Sequence, residues 1–339
     1  MIQLFKTNSP SLYGYLFIYL IVLTAIQFLH PAPYQGDLQA PLSQLLFHLI
    51  HLIPVSEAYT EGIISIGLLM INALLINALI FRHKIFTLTC QLPGLIYLLI
   101  ACSFEQWSQL SPAMISNTIL ILFLDRLLAL FREENALVSI LDLGLLVAVG
   151  SLFYFPFLVH IITLFIGLIL LRPFSLREWL AGLAGLLTPY FLTITYYYWY
   201  DQLSGFFTSH FLGPITSGFP AIELYPNFTI WLLSPFLIAL LLASVFNLQR
   251  LLLKSTIQLR KSYTLILWTF LFAGASTLLN TTLPLAHFSS IAVPFSFLAI
   301  HYFMTTDKPK MLETIHTMLF VVILMQQYLP FVQFNIPFL

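Results

Sequence analysis

Six acidic residues, Asp37, Glu57, Glu61, Glu105, Asp201 and Glu223, and five histidines, His30, His48, His51, His210 and His287, fall in segments that contain no lysine or arginine. Carboxylates and imidazoles gathered away from competing cations can hold a divalent metal or take the proton of a nucleophile. Asp37, in PYQGDLQAP, and Glu57 are the candidate catalytic carboxylates of these segments. Asp37, His48 and His51 are the candidate metal ligands. The two histidines stand three apart in HLIH, which puts both on one side of a helix. Glu105, Asp201 and Tyr197 are candidate contacts for a substrate or a lipid. Tyr197 belongs to the aromatic run from Tyr196 to Tyr200, a membrane-interface belt with a second use as a platform for sugar stacking. Against these readings stands a plain one: loops at a water interface carry acids freely. A third catalytic candidate, Asp142 in SILDLGLL, lies inside an apolar segment. A charge there costs roughly 2.5–3.5 kcal/mol on insertion scales and marks a functional group, an interhelical hydrogen bond, or an acid near enough to the surface to reach water.

The elements that position these groups are set by composition. The chain has 339 residues, of which 60% are hydrophobic and only 8% charged. Soluble domains carry about 25% charged residues, so lipid must solvate this surface. The formal net charge of zero excludes a basic surface for nucleic acid. Both cysteines, Cys90 and Cys102, sit in one apolar segment, as buried small hydrophobes rather than a disulfide framework. No phosphate loop, dinucleotide fingerprint, GxSxG, CxxC or HExxH is present.

Stretches of roughly 20 apolar residues predict membrane-spanning helices. Eleven emerge, at about 11–29, 62–81, 85–103, 114–131, 136–154, 156–171, 179–200, 228–248, 263–283, 285–303 and 312–335. The expected fold is therefore an all-α integral membrane protein, one polytopic domain over 1–339, with the run at 12–29 a retained first span rather than a signal peptide. All 13 lysines and arginines fall at alternate junctions between spans, which predicts a cytoplasmic N-terminus and inner loops at 82–84, 132–135, 172–178, 247–262 and 305–310. The acids and histidines listed first then face outward, except Asp142. Two junctions, Phe153 to Pro156 and Thr282 to His287, read either as tight outer turns or as breaks within one helix.

Three further segments are expected to be ordered. The stretch from Pro41 to Pro54 is too short to span. Leu42, Leu45, Leu46, Leu49, Ile50 and Ile53 recur at helical spacing, which predicts a helix in the membrane interface. Residues 201–227, rich in Gly, Pro and aromatics, predict an ordered outer loop or lid. Residues 249–261, QRLLLKSTIQLRK, predict a short basic helix on the inner surface. Asp125 and Arg126 are expected to join Arg132, Glu133 and Glu134 in a local ion-pair cluster.

The opening IQLFKTNSP, the stretch from Leu152 to Leu192 and the late AHFSSIAVPFSFLAIHYF resemble an uncharacterised multi-pass membrane protein family of Bacteroidota. More distantly, the first outer loop with Asp37 and an interfacial helix, and the paired spans ending in a basic inner loop, are similar in layout to the GT-C fold of polyprenyl-phosphate-dependent glycosyltransferases. That resemblance covers residues 1–200 as a module, leaving 201–339 as additional membrane helices. It implies a bacterial inner-membrane enzyme using a polyprenyl-phosphate-linked sugar at the periplasmic face. Asp37 would be its general base or metal ligand, with Mg or Mn as cofactor because no base is present there to hold phosphate. The fold's usual soluble C-terminal domain has no counterpart. Two other functions fit the same chain: a non-catalytic membrane subunit of an envelope secretion or polymer-export complex, partnered by other envelope proteins, and a proton-coupled transporter using Asp142.

Overall fold

The computed structural model describes the chain apart from residues 8, 32, 35, 37, 39, 87–89, 217–227, 253–254, 278–284 and 329–339. Among the described residues the regular structure is entirely helical. In chain order the α-helices are α1 (Ile2–Phe5), α2 (Ser11–Leu29), α3 (Pro41–His51), α4 (Glu57–Arg82), α5 (Leu92–Ala101), α6 (Glu105–Ser108), α7 (Pro112–Ala129) and α8 (Leu137–Phe153). There follow α9 (His160–Leu171), α10 (Leu176–Trp199), α11 (Leu203–Phe206), α12 (Gly213–Thr216), α13 (Phe228–Leu252), α14 (Ile257–Ser276), α15 (Ala292–Thr305) and α16 (Pro309–Tyr328). Turns of 3-10 helix at Phe155–Val159 and Leu285–Ile291 lead into α9 and α15, and a π-helical turn at Phe207–Leu212 joins α11 to α12.

Among the described residues six segments are long and apolar enough to cross a membrane: Ser11–Leu29, Glu57–Arg82, Pro112–Ala129, Leu176–Trp199, Leu233–Arg250 and Leu285–Thr305. Three further apolar helices, Leu92–Ala101, Leu137–Phe153 and Phe155–Leu171, are shorter. The third expected span, 85–103, holds only the ten helical residues of α5. At 1.5 Å per residue they rise about 15 Å, half the thickness of a bilayer's hydrocarbon core. Every residue of α5 is buried, so it sits at the centre of the bundle, packed on α4 and α15. Apolarity along 85–103 thus records burial in protein rather than contact with lipid.

Polar contacts sort the helix ends into two sets. At one end, Arg82 and His83 both bind Asp125, and the Met1 ammonium binds Glu313 at 2.9 Å. There too Asn247 donates to Thr305, Arg132 to Gln258 and the Gln91 amide to the Phe5 carbonyl. Arg172, after α9, donates to the carbonyls of Glu133 and Glu134, before α8, and to Glu178 at 2.9 Å. The chain therefore returns to the same end over α8 and α9, and the junction near Pro156 is a hairpin turn. The opposite end gathers the segments that lack Lys and Arg: Gln27 with Ser108, Tyr34 and His51 with Glu61, Trp107 with the Leu285 carbonyl, and Tyr154 with His287.

Three expectations change. Residues 249–252 are the last turn of α13 and 257–261 the first turn of α14, so no separate basic surface helix exists there. Arg132, Glu133 and Glu134 do not pair with Asp125 and Arg126. Asp125 reaches back to α4 instead, and Arg126 lies 4.0 Å from Asp142. The helix at α3 forms as expected, but its buried side is Ser43, Phe47 and Ile50, leaving Leu45, Leu49 and Leu52 exposed. Phe47 and Ile50 seat on Leu110 and Ile115, fixing α3 across the base-free end.

The tightest contact is between α8 and α10, where a Cβ at Gly144 would overlap the Gly182 carbonyl and one at Gly185 the Leu141 carbonyl. Small residues permit this approach in apolar surroundings, where the hydrophobic effect does not drive helices together. We expect Gly144→Ala and Gly185→Ala each to lose about 1–3 kcal/mol by overpacking. Gly14→Ala and Gly67→Ala, whose Cβ positions meet nothing within 4 Å, should be neutral or gain roughly 0.5–1 kcal/mol. Thermal unfolding of the four variants in detergent checks the contrast.

Candidate functional site

The base-free end contains two sites, one at each end of α3. The first is built on α4 and α6. Glu57 and Glu61 are one helical turn apart in the first turns of α4 and so share a face. Glu57 is exposed and 3.8 Å from His51 Nδ1. Glu61 is only 4% exposed. Its Oε2 accepts from the Tyr34 N–H at 2.7 Å, and its Oε1 lies 3.3 Å from His51 Nε2. A buried carboxylate is tolerable because both oxygens are engaged. Glu105, in the first turn of α6, faces the same small cavity together with Gln27, His30 and Gln109. Burial raises the Glu105 carboxyl above its usual range, opposed by the hydrogen bond from Gln109 and the field of His30. A chain of hydrogen bonds holds this wall: Ser65 donates to Gln27 Oε1, Gln27 Nε2 donates to Ser108 at 2.7 Å, and Ser108 donates to the Glu105 carbonyl. The cavity itself is about 20 Å³. That admits one water or one hydroxyl group between the carboxylates and nothing larger.

The second site lies where the start of α3 meets the end of α10. Gln44, Tyr197, Gln202, Ser204, Phe206 and Ser209 line a cavity of about 350 Å³. Behind it, Tyr197 stacks on Phe206 (centroids 4.9 Å apart) and Phe206 on His210 (5.3 Å). His210 is 1% exposed, its Nε2 lies 3.5 Å from the Tyr190 hydroxyl, and that hydroxyl is 2.7 Å from Ser151 on α8. A π-helical turn, a form found often at functional sites, sets His210 in this register. Burial lowers its pKa to about 4.

The sequence-derived candidates therefore separate. Asp37 and Glu223 lie outside the described residues. Glu57, His51 and Glu105 belong to the first site, Tyr197 to the second, while His48 is exposed on α3. Asp201 is exposed beside the second site, in the left-handed conformation (φ 53°) that ends α10. Asp142 is not in the interior of the bundle. It stands in the second turn of α8, partly exposed, facing Arg126 at the base-rich end. Among the described residues no three His, Cys, Asp or Glu side chains converge as a metal site. Asp37, the first of the expected metal ligands, lies outside the described residues. Glu61 was named among the acids of the base-free segments but not singled out, and Gln27 and the polar lining of the second site were not named. The four-residue spacing from Glu57 was the available signal for the first, and none existed for the second.

No protein-family model, curated protein or solved structure matches this chain.

The His210 shift carries a sign. In the unfolded segment this histidine protonates near pH 6.5, whereas in the fold it stays neutral down to about pH 4. Its contribution is present above pH 6.5 and is lost as pH falls toward 4. The loss is on the order of 3 kcal/mol at about 1.4 kcal/mol per pKa unit. Hydrogen exchange, corrected for its intrinsic pH dependence, should show residues 203–212 losing protection across that interval, and His210→Phe should flatten the dependence.

Proposed function

We propose that the protein is an enzyme of the bacterial inner membrane. Its eleven apolar segments cross or enter the bilayer, its N-terminus is cytoplasmic, and its base-free end faces the periplasm. The carrying observation is the pair Glu61 and Glu105 on one hydroxyl-sized cavity, with an interfacial helix, α3, directly beside it. Two carboxyls held in different environments are the usual means of assigning a base and an acid at one pH. The exposed Leu45, Leu49 and Leu52 of α3 offer an apolar edge at which a lipid-anchored substrate can lie.

The resemblance of the sequence's layout to GT-C glycosyltransferases is what suggests the substrate class, a polyprenyl-phosphate-linked sugar. An acceptor hydroxyl enters the cavity and gives its proton to Glu61 as its oxygen attacks the anomeric carbon. The bond from that carbon to the phosphate oxygen breaks. Glu105, on the same cavity, holds the entering hydroxyl, and the polyprenyl phosphate departs as its anion.

A second reading is favoured by α10. Only Gly182, Gly185 and Tyr190 of it are buried, while Leu180, Leu183, Leu187 and Phe191 are exposed, so one helix face remains for lipid or for a membrane partner. On that reading the chain is a non-catalytic subunit of an envelope complex.

Purified protein in liposomes, given polyprenyl-phosphate hexose or N-acetylhexosamine with a glycan acceptor, should release polyprenyl phosphate. Glu61→Gln should slow release by roughly 10²–10⁴-fold, the range for a lost general base. An unimpaired Glu61→Gln variant overturns the assignment of the base. A wild-type protein that turns over none of these donors, yet co-purifies with envelope proteins through α10, establishes the second reading instead.

A further inference from the structure

We propose that the 350 Å³ cavity between α3 and the end of α10 binds a neutral sugar unit. The inference does not depend on Glu61 or Glu105: at 1.5 Å per residue, Gln44 lies about 10 Å along α3 from His51. Three observations carry it. The volume lies in the range of small-molecule sites, roughly 300–1,000 Å³, whereas the acidic cavity does not. The described lining residues bear no charge, so neither a phosphate nor a metal finds its partner there. It offers two amides, Gln44 and Gln202, and two hydroxyls, Ser204 and Ser209, all on exposed positions; Gln44 Nε2 also donates to the Leu38 carbonyl at 2.6 Å and Ser209 Oγ to the Gly205 carbonyl at 2.9 Å, which leaves the second Gln44 N–H, its oxygen and the Ser209 lone pairs for a ligand. These groups both donate and accept, as the hydroxyls of a sugar ring require. Finally Tyr197, half-buried at one end of the stack with Phe206 and His210, provides an aromatic ring held in place from behind. Aromatic faces take the apolar side of a sugar while the rim bonds its hydroxyls. A lipid tail would waste the amides, and a charged headgroup would find no counter-ion.

Gly205 gives the means of testing this. It lines the cavity, and a Cβ there meets nothing within 4 Å, so a larger side chain occupies the cavity without disturbing the fold. The wild-type protein in nanodiscs, free of glycoside detergent, is titrated with glucose, N-acetylglucosamine and lactose, with saturation-transfer NMR as readout. Inositol phosphate serves as the charged control. Saturable binding of at least one neutral sugar is expected, weakened at least tenfold by Gly205→Leu and by Tyr197→Ala, and retained in Tyr197→Phe. Glu61→Gln should bind as wild type, which separates this site from the acidic one. The inference is overturned if no neutral sugar binds, if inositol phosphate binds in preference, or if Gly205→Leu binds as tightly as wild type while unfolding at the same temperature.

Discussion

A bilayer's hydrocarbon core offers a buried charge or amide nothing to bond except the protein itself, and most of this structure follows from that constraint. Several interior amides and imidazoles make one bond across helices, Asn72 with Tyr97, His301 with Tyr263 and His316 with Tyr19, while Asn72 Oδ1, His301 Nε2 and His316 Nδ1 have no partner. Among the described residues the ionic groups do not enter the interior. They collect at two ends, and the ends differ. One is held by guanidinium groups reaching carboxylates and carbonyls of neighbouring loops, with Arg172 closing the α8–α9 hairpin. The other has no cation with which to do this.

That difference shapes the base-free end. Without lysine or arginine, Glu61 is stabilised by a backbone N–H and an imidazole, and Glu105 by a glutamine. The apolar seat of α3 on Leu110 and Ile115 is what brings His51 to Glu61 at one of its ends and Gln44 to the aromatic stack at the other. A single helix, α3, thus positions both candidate sites.

Part of the architecture was legible in the sequence because charge is so sparse: among the described residues the basic junctions lie at or near helix ends, and Arg132–Gln258, Asn247–Thr305 and Arg172–Glu133 join pairs of them. Apolar runs were less informative about their surroundings. The same Leu and Ile residues that would face lipid in 85–103 are wholly buried in α5, since hydrophobicity does not distinguish lipid from protein. For Asp142 the sequence left open a functional group, an interhelical hydrogen bond and an acid near the surface; the structure places it 4.0 Å from Arg126 on the neighbouring helix, a pairing that sequence distance does not announce. The site was legible as a set of residue types and not as groups. Glu57 was preferred to Glu61, although one turn of helix separates an exposed acid from a buried one. The second cavity depends on a π-turn that places His210 and Phe206 behind Tyr197, a register that no residue spacing announces.

The central claim is that the two ends face opposite compartments, with the carboxylate end outside. In a protein with Cys90→Ser and Cys102→Ala, single cysteines at Ser56→Cys, beside Glu57, and Asn135→Cys, before α8, report on each end, both positions being exposed. In intact spheroplasts a membrane-impermeant maleimide should label Ser56→Cys at once and Asn135→Cys only after lysis. Labelling of Asn135→Cys before lysis, or equal labelling of both positions, would contradict the account.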